Sequence, residues 1–192
     1  MPRISAPTVV EHRSRQRTAL LAAATDLLVR AGPGAVTPGA VGAAAGLARP
    51  SVYEYFSSGA QILAAVIEDA FGRANDALCA ALEPVTDPAE RIDAYVRETL
   101  RLAHEGAHRA AAALAGTALP DQCRARLAEL HREQAGSLLA ALRELEVPEP
   151  GLTAQLLGGA LRAAMAASEA GASRETVTTR TLAVVRAAVV AR

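Results

Sequence analysis

The sequence predicts an all-α protein: an amino-terminal helix-turn-helix followed by a larger helical region, about nine helices in all. Alanine, the strongest helix former, supplies 47 of the 192 residues. Apolar residues recur at spacings of three and four, and Gly or Pro separates the successive runs. Only five residues are aromatic. A core of closely packed helices is therefore favoured over one built from bulky side chains.

The first predicted helix follows residues 1–10, which contain two prolines and which we interpret as a disordered arm. Its buried face is an apolar stripe at helical spacing: Leu20, Leu21, Ala24, Leu27 and Leu28. The stripe ends before Gly32, where the helix is expected to stop.

Residues 37–56, TPGAVGAAAGLARPSVYEYF, predict two short helices joined by a tight turn. Thr37 is suited to cap the first of these helices. Pro38 is suited to open it, because the first helical position needs no amide hydrogen. Gly46 supplies the flexible backbone of the turn.

The second of these short helices begins near Arg49 and buries Val52 and Phe56, which lie one turn apart. The residues expected to remain exposed are Arg49, Ser51, Glu54 and Tyr55. A compact helix-turn-helix that presents such side chains fits the major groove of DNA. We therefore expect this segment to bind double-stranded DNA.

Charge is distributed in agreement with that expectation, although the net charge is zero. Residues 1–58 hold six arginines against three acidic residues, whereas residues 59–192 hold 14 arginines against 17 acidic residues. Arg13, Arg15 and Arg17 stand at the start of the first helix, where they are suited to contact phosphates or a minor groove.

A long fourth helix is predicted to begin after a capping box formed by Ser58 and Gln61 and to end before Pro84, a length of about 24 residues. Asp87 is suited to cap a fifth helix. Beyond Gly106, a short alanine-rich sixth helix is expected over about residues 108–118, and a seventh over 121–145.

The last two predicted helices cover residues 152–170 and 173–191. Their apolar stripes are Leu156, Leu157, Ala160, Leu161, Ala164 and Met165 in one, and Val177, Leu182, Val185 and Val189 in the other. Gly158 and Gly159 lower the stability of the first of these helices, which indicates close approach to another helix.

Residues 17–66 resemble the amino-terminal DNA-binding domain of the tetracycline-repressor (TetR) family. The shared features are an Ala-Ala-x-x-Leu-Leu core (residues 23–28) ending at a Gly, a Thr that opens the second helix, an Ala-rich turn (residues 43–47), and a closing Tyr-x-Tyr-Phe (residues 53–56). Three departures stand beside them: Gly42 replaces a usual Ala, Pro50 a usual Gly, and Gly59 a Lys that contacts phosphate.

The resemblance implies a homodimeric transcriptional repressor that binds a palindromic operator. It divides the chain into a helix-turn-helix domain at residues 11–57 and a ligand-binding and dimerisation domain at 58–192. The last two helices of each chain, with Leu161 and Val185 among their apolar residues, are expected to pair with those of the partner, or else to complete the monomer core. Repression and activation are not distinguished by the sequence.

Six polar residues of the predicted DNA-binding domain have an expected role in DNA binding. Arg49 is suited to grip a guanine edge with two hydrogen bonds, and Ser51 is a weaker base contact. The expected phosphate contacts are Arg17, Thr37, Tyr53 and Tyr55. Packing beneath the turn is the alternative for Tyr53.

The resemblance also implies a cavity for an unidentified small-molecule effector in the carboxy-terminal domain. Tyr95, Thr99, Leu102 and Met165 are candidate lining residues, with ordinary core packing as the alternative. Because alanine is abundant and aromatic residues are few, an apolar or amphipathic effector is expected.

Other classes of site are disfavoured by the residues present. His104 and His108 have a spacing that suits a metal, but no third ligand is evident, so we expect no metal and no cofactor. Phosphate-binding loops, nucleophile elbows and paired carboxylates are absent, which disfavours an enzyme. The remaining alternative is a helical interaction or sensor protein that no longer binds DNA.

The sequence also gives indications about location. Neither Cys79 nor Cys123 has zinc-site or disulfide-framework spacing. No signal-peptide pattern and no 18-residue span poor in charge is present, so we expect a cytoplasmic protein without membrane association.

Overall fold

The computed structural model describes residues 6–114 and 121–190. Within these ranges every regular element is helical, which confirms the all-α prediction. The α-helices, in chain order, are α1 (Ala6–Ala31), α2 (Pro38–Ala45), α3 (Arg49–Tyr53), α4 (Gly59–Leu82), α5 (Pro88–His104), α6 (Arg109–Leu114), α7 (Asp121–Gln134), α8 (Gly136–Glu144), α9 (Pro150–Glu169) and α10 (Arg174–Val190). A 3-10 turn, Pro33–Ala35, separates α1 from α2.

Local capping determines where several helices begin. The Thr37 hydroxyl accepts a hydrogen bond from the Ala40 amide at 3.2 Å, and the Asp87 carboxylate accepts one from Glu90 at 2.8 Å. At the start of α4 the Gln61 amide donates to the Ser58 hydroxyl at 3.2 Å. All three caps are as predicted, and α4 has the predicted length of 24 residues.

Some boundaries differ from the predicted ones. Helix α3 ends at Tyr53 rather than near Phe56, because the amides of Tyr55 and Phe56 both donate to the Val52 carbonyl. The predicted seventh helix is divided at Ala135 into α7 and α8, next to Gly136, and glycine is a common site for such a break. The predicted end of α6 lies outside the described residues.

The amino terminus differs from the predicted arm over the residues that are described. Helix α1 already includes residues 6–10, whereas residues 1–5 lie outside the described part of the chain. The domain boundaries predicted at 10/11 and 57/58 stay predictions, because units defined by packing need not coincide with domains of separate function.

The described residues form two compact units, residues 6–70 with 109–114 and 121–127, and residues 71–108 with 128–190. In unit one, α1 packs on α2 and α6, and α2 packs on α3. Its largest fully buried side chains include Leu20, Leu28, Val41, Val52 and Ile62. These contacts fix the positions of the helix-turn-helix residues.

Unit two is built around α5, which contacts α8, α9 and α10. Arg186 of α10 forms an ion pair with Asp93 of α5, and Arg91 pairs with Glu144 at 2.8 Å. Among the residues described, no helix combines the length and apolar character needed to cross a membrane.

Candidate DNA-binding surface

The turn between α2 and α3 sets the angle of the helix-turn-helix. Gly46 adopts a left-handed conformation with φ of 68°, which only glycine adopts without strain. The Leu47 amide then donates to the Gly42 carbonyl at 2.8 Å. A side chain at Gly42 would place its Cβ 2.8 Å from Cγ2 of Val52, so glycine at this position allows α3 to approach α2 closely.

Arg49 lies exposed at the start of α3. Its Nη2 donates to the hydroxyl oxygen of Tyr53 at 3.0 Å, and its Cζ lies 5.6 Å from the centre of the Tyr53 ring. This hydrogen bond raises the pKa of Arg49 above its ordinary value, so the side chain stays cationic. Pro50 occupies the first turn of α3, where its missing amide hydrogen costs no hydrogen bond.

Tyr53 and Tyr55 differ in environment, although both were expected to contact phosphates. Tyr53 is exposed, whereas Tyr55 is half-buried and its hydroxyl donates to Oε1 of Gln16 on α1 at 2.7 Å. Ser51 is also half-buried, and its amide donates to the Ala48 carbonyl at 2.9 Å. The sequence did not predict the role of Gln16, because 39 positions separate it from Tyr55.

Two arginines of α1 stack on the aromatic residues that follow α3. The Cζ atom of Arg13 lies 5.7 Å from the centre of the Tyr55 ring, and that of Arg17 lies 6.0 Å from the centre of the Phe56 ring. Both arginines are exposed. Cation–π contacts of this kind keep the two charges close to the helix-turn-helix.

The start of α4 lies against the backbone that precedes α2. A Cβ added at Gly59 would lie 2.4 Å from the Val36 carbonyl oxygen and 3.8 Å from Cα of Thr37. The family's usual Lys therefore does not fit at Gly59 in this arrangement. Gly59 has a steric role, because it lets α4 begin in contact with the segment that caps α2.

We expect Gly59→Ala to lower the free energy of unfolding by about 1–3 kcal/mol, because Cβ would meet backbone that cannot move alone. Helix propensity by itself predicts the opposite sign. Gly72→Ala is a matched control in the same helix, since nothing lies within 4 Å of its added Cβ, and it should stabilise by about 0.5–1 kcal/mol. Chemical denaturation of both variants measures the difference, and equal stabilisation would disprove the close contact.

The candidate effector residues all lie in unit two and take part in its core packing. Tyr95, Thr99 and Leu102 are buried on α5, and Met165 packs against the same core from α9. Burial raises the pKa of Tyr95 to about 12, an effect that the nearby Thr99 hydroxyl partly opposes without reaching hydrogen-bond geometry. A described cavity of about 310 Å³ lies in unit one instead, beside the start of α4 and α7.

The histidines considered for a metal do not form a common site. His104 is exposed, whereas His108 is half-buried and lies within electrostatic reach of His131. Among the residues that the structure describes, no group of three or more His, Cys, Asp or Glu side chains is suited to hold a metal ion.

Comparison with known protein families identifies the segment that contains α2 and α3. Residues 20–66 match the family model described as "Bacterial regulatory proteins, tetR family". No curated protein sequence matches this chain significantly.

Solved structures share the fold along most of the chain. A TetR-like transcriptional regulator from Rhodococcus sp. RHA1 is 18% identical, with a TM-score of 0.77 and coverage of 92% of this chain and 97% of that one. FadR from Bacillus subtilis, solved with stearoyl-CoA, is 15% identical, with a TM-score of 0.75 and coverage of 88% and 96%. The superantigen PfiT is 24% identical, with a TM-score of 0.75 and coverage of 88% and 95%.

At these identities the solved structures establish the fold alone, whereas the family model identifies the helix-turn-helix. TetR-family proteins are regulators and not enzymes. Residues 20–66 therefore carry the helix-turn-helix of the tetR family of bacterial regulatory proteins, and the chain shares its fold with TetR-like transcriptional regulators.

Proposed function

We propose that this protein is a homodimeric transcriptional repressor that binds a palindromic operator through α2 and α3 and leaves it when a small molecule binds. The observation that carries the proposal is the exposed, cationic Arg49 at the start of α3. Arg13 and Arg17 of α1 add positive charge beside it, which supports contact with phosphates. Thr37, Ser51, Tyr53 and Tyr55 complete the proposed surface.

An exposed apolar stripe on α9 supports dimerisation through the last two helices. Its exposed members follow helical spacing and are Leu152, Leu156, Ala163 and Ala166, with the half-buried Gly159 between them. On α10, Val184 is 57% exposed, and on α9, Leu156 is 66% exposed. Large apolar side chains left in water on two adjacent helices are suited to pack against a second copy.

Two residues that were expected among the apolar residues of the dimer interface do not belong to the interface proposed here. Leu161 and Val185 are 4% and 0% exposed, so they belong to the core of their own chain and are unsuited to pair with a partner. Added Cβ atoms at Gly158 and Gly159 would meet only the side chain of Arg162, at 3.5 and 3.7 Å. Among the described residues, no other helix of the same chain comes close to these glycines, and we propose that a helix of the partner subunit packs there.

Unit two is the proposed site of the effector. Its core is formed by aliphatic residues of α5, α8, α9 and α10, which favours an apolar or amphipathic molecule. FadR from Bacillus subtilis, which shares the fold, was solved with stearoyl-CoA. Release of DNA requires that the effector bind the two conformations of the dimer with different affinity.

Selection of bound sequences from random duplex DNA tests the proposal directly. The purified protein should enrich a palindrome, because a two-fold dimer presents two copies of α3 to equivalent half-sites. Affinity for the enriched duplex should fall steeply with salt as counterions are released. A folded dimer that enriches no sequence and shows no salt-dependent binding would instead support the alternative of a helical interaction or sensor protein.

A further inference from the structure

Three aromatic rings at and just after the end of α3 each lie against an arginine. The chain has five aromatic residues, and three of them fall within residues 53–56. The distances from an arginine Cζ to the ring centre are 5.6 Å for Arg49 over Tyr53, 5.7 Å for Arg13 over Tyr55 and 6.0 Å for Arg17 over Phe56. Significant contacts of this kind occur roughly once per 70–80 residues in proteins, so three of them around one short segment require an explanation.

Tyr53 restricts the orientation of Arg49. The two residues are four positions apart on α3 and therefore share a helix face. Nη2 of Arg49 donates to the Tyr53 hydroxyl oxygen at 3.0 Å, while the guanidinium lies against the ring. This bond uses one of the five N–H groups of the guanidinium, and a guanine edge needs only two. An arginine that is already oriented loses less conformational entropy when it binds a base.

Tyr55 is linked to α1 through its hydroxyl group. The hydroxyl donates to Oε1 of Gln16 at 2.7 Å, and both residues are half-buried. A tyrosine hydroxyl has one hydrogen, and phosphate oxygens only accept hydrogen bonds. While Tyr55 donates to Gln16, it therefore has no hydrogen left for a phosphate. Arg13, whose charge lies against the Tyr55 ring, is better suited to that contact.

The face of α1 that meets these rings carries two of the arginines. Arg13, Gln16 and Arg17 are three and four positions apart, so they share one helix face. Arg15 lies on a different face, and its Nε donates to the Glu11 carbonyl of the same helix at 3.4 Å. The packing therefore distinguishes Arg13 and Arg17 from Arg15, although all three arginines stand close together in the sequence.

We propose that both tyrosines of the helix-turn-helix are positioning residues for arginines that contact DNA. Tyr53 orients Arg49 toward a base edge. Tyr55, held by Gln16, keeps Arg13 close to a backbone phosphate. This inference rests on the proposed function, because it assigns roles within the surface that would bind the operator.

Tyr53→Phe tests the first role, because it removes the hydroxyl and keeps the ring. Affinity for the selected operator should fall roughly 3- to 10-fold, the effect of one hydrogen bond, while affinity for a scrambled duplex should not change. In an Arg49→Ala background the same substitution should have no further effect, because no guanidinium is left to orient. Equal weakening on both duplexes, or an effect that persists without Arg49, would assign Tyr53 to direct phosphate contact and overturn this role.

Gln16→Met and Tyr55→Phe test the second role, because each removes the same hydrogen bond from one side. Both should weaken binding to both duplexes by a similar factor, roughly 2- to 10-fold, and neither should have a further effect in an Arg13→Ala background. A direct phosphate contact by the Tyr55 hydroxyl predicts a different pattern. In that case Tyr55→Phe alone would weaken binding, since Gln16→Met frees the hydroxyl for DNA.

The salt dependence of affinity separates positioning from a role in folding. Arg13→Ala should lower the slope of log affinity against log salt by about one for each half-site, and Gln16→Met should lower it in the same direction. Arg15→Ala should lower it less. A lower melting temperature for Gln16→Met with an unchanged slope would show that the hydrogen bond serves the fold alone and would overturn the role of Gln16.

Duplex binding by the wild-type protein separates this inference from the proposed function. A wild-type protein that binds no duplex would contradict the proposed function together with the inference. Operator binding that Tyr53→Phe, Tyr55→Phe and Gln16→Met all leave unchanged would contradict the inference alone.

Discussion

A glutamate at Leu156 or Val184 is expected to convert the dimer into a folded monomer and to abolish specific operator binding. Both side chains are exposed in the single chain, so the charge remains hydrated in the monomer and does not disturb its core. In the proposed dimer the same charge would be buried against apolar residues without a partner. A monomer presents a single α3 helix to one half-site of the operator. It therefore loses the additional affinity that two linked α3 helices provide in the dimer.

Light scattering of the purified variants should give half the molecular mass of the wild-type dimer. Their circular dichroism spectra should be unchanged, which would show that the helices remain folded. Ala128→Glu introduces the same charge on the exposed surface of α7 and should leave the mass unchanged. Leu161→Glu places the charge in the core and should unfold the chain instead. A dimeric mass for the Leu156→Glu, Val184→Glu double variant would rule out this interface.

Replacement of Arg49 by alanine is expected to weaken binding to the selected operator by roughly 5- to 150-fold while leaving non-specific binding largely intact. The guanidinium is exposed and cationic at the first position of α3, and its planar fork is suited to two acceptors on a guanine edge. Arg49→Lys should lose most of the same specificity although it keeps the charge, because an ammonium group cannot form that paired contact.

Equilibrium titration with the operator and with a scrambled duplex at several salt concentrations measures specific and non-specific DNA affinity separately. Arg30→Ala, at the exposed end of α1, is the control and should bind both duplexes normally. Equal weakening on the operator and on the scrambled duplex would assign Arg49 to phosphate contact rather than to base recognition.

Features that depend on neighbouring residues were predictable from the sequence. The caps at Thr37, Ser58 and Asp87 involve residues three positions apart, and the length of α4 follows from an apolar stripe between a cap and a proline. The helix-turn-helix was predictable for the same reason, because Gly46 and the spacing around it determine a local turn.

Contacts between distant residues could not be predicted in this way. The Tyr55 hydroxyl donates to Gln16, and Gly59 lies against the Val36 carbonyl, because packing brings together residues far apart in the chain. Helical spacing also could not decide which apolar residues of α9 are buried. Leu156 and Leu161 both belong to the predicted stripe, yet only Leu161 lies in the core.

The sequence by itself therefore determined the all-α class, the helix-turn-helix and its exposed arginine, because short-range spacing, capping and turn residues specify these features. Tertiary structure alone decided that Tyr55 meets Gln16, that α9 leaves Leu156 in water, and that Thr99 and Gln134 are buried without partners. The physical reason is that burial and hydrogen-bond pairing depend on which helices pack together. Helical periodicity identifies the apolar residues of a helix but not the helix that covers them.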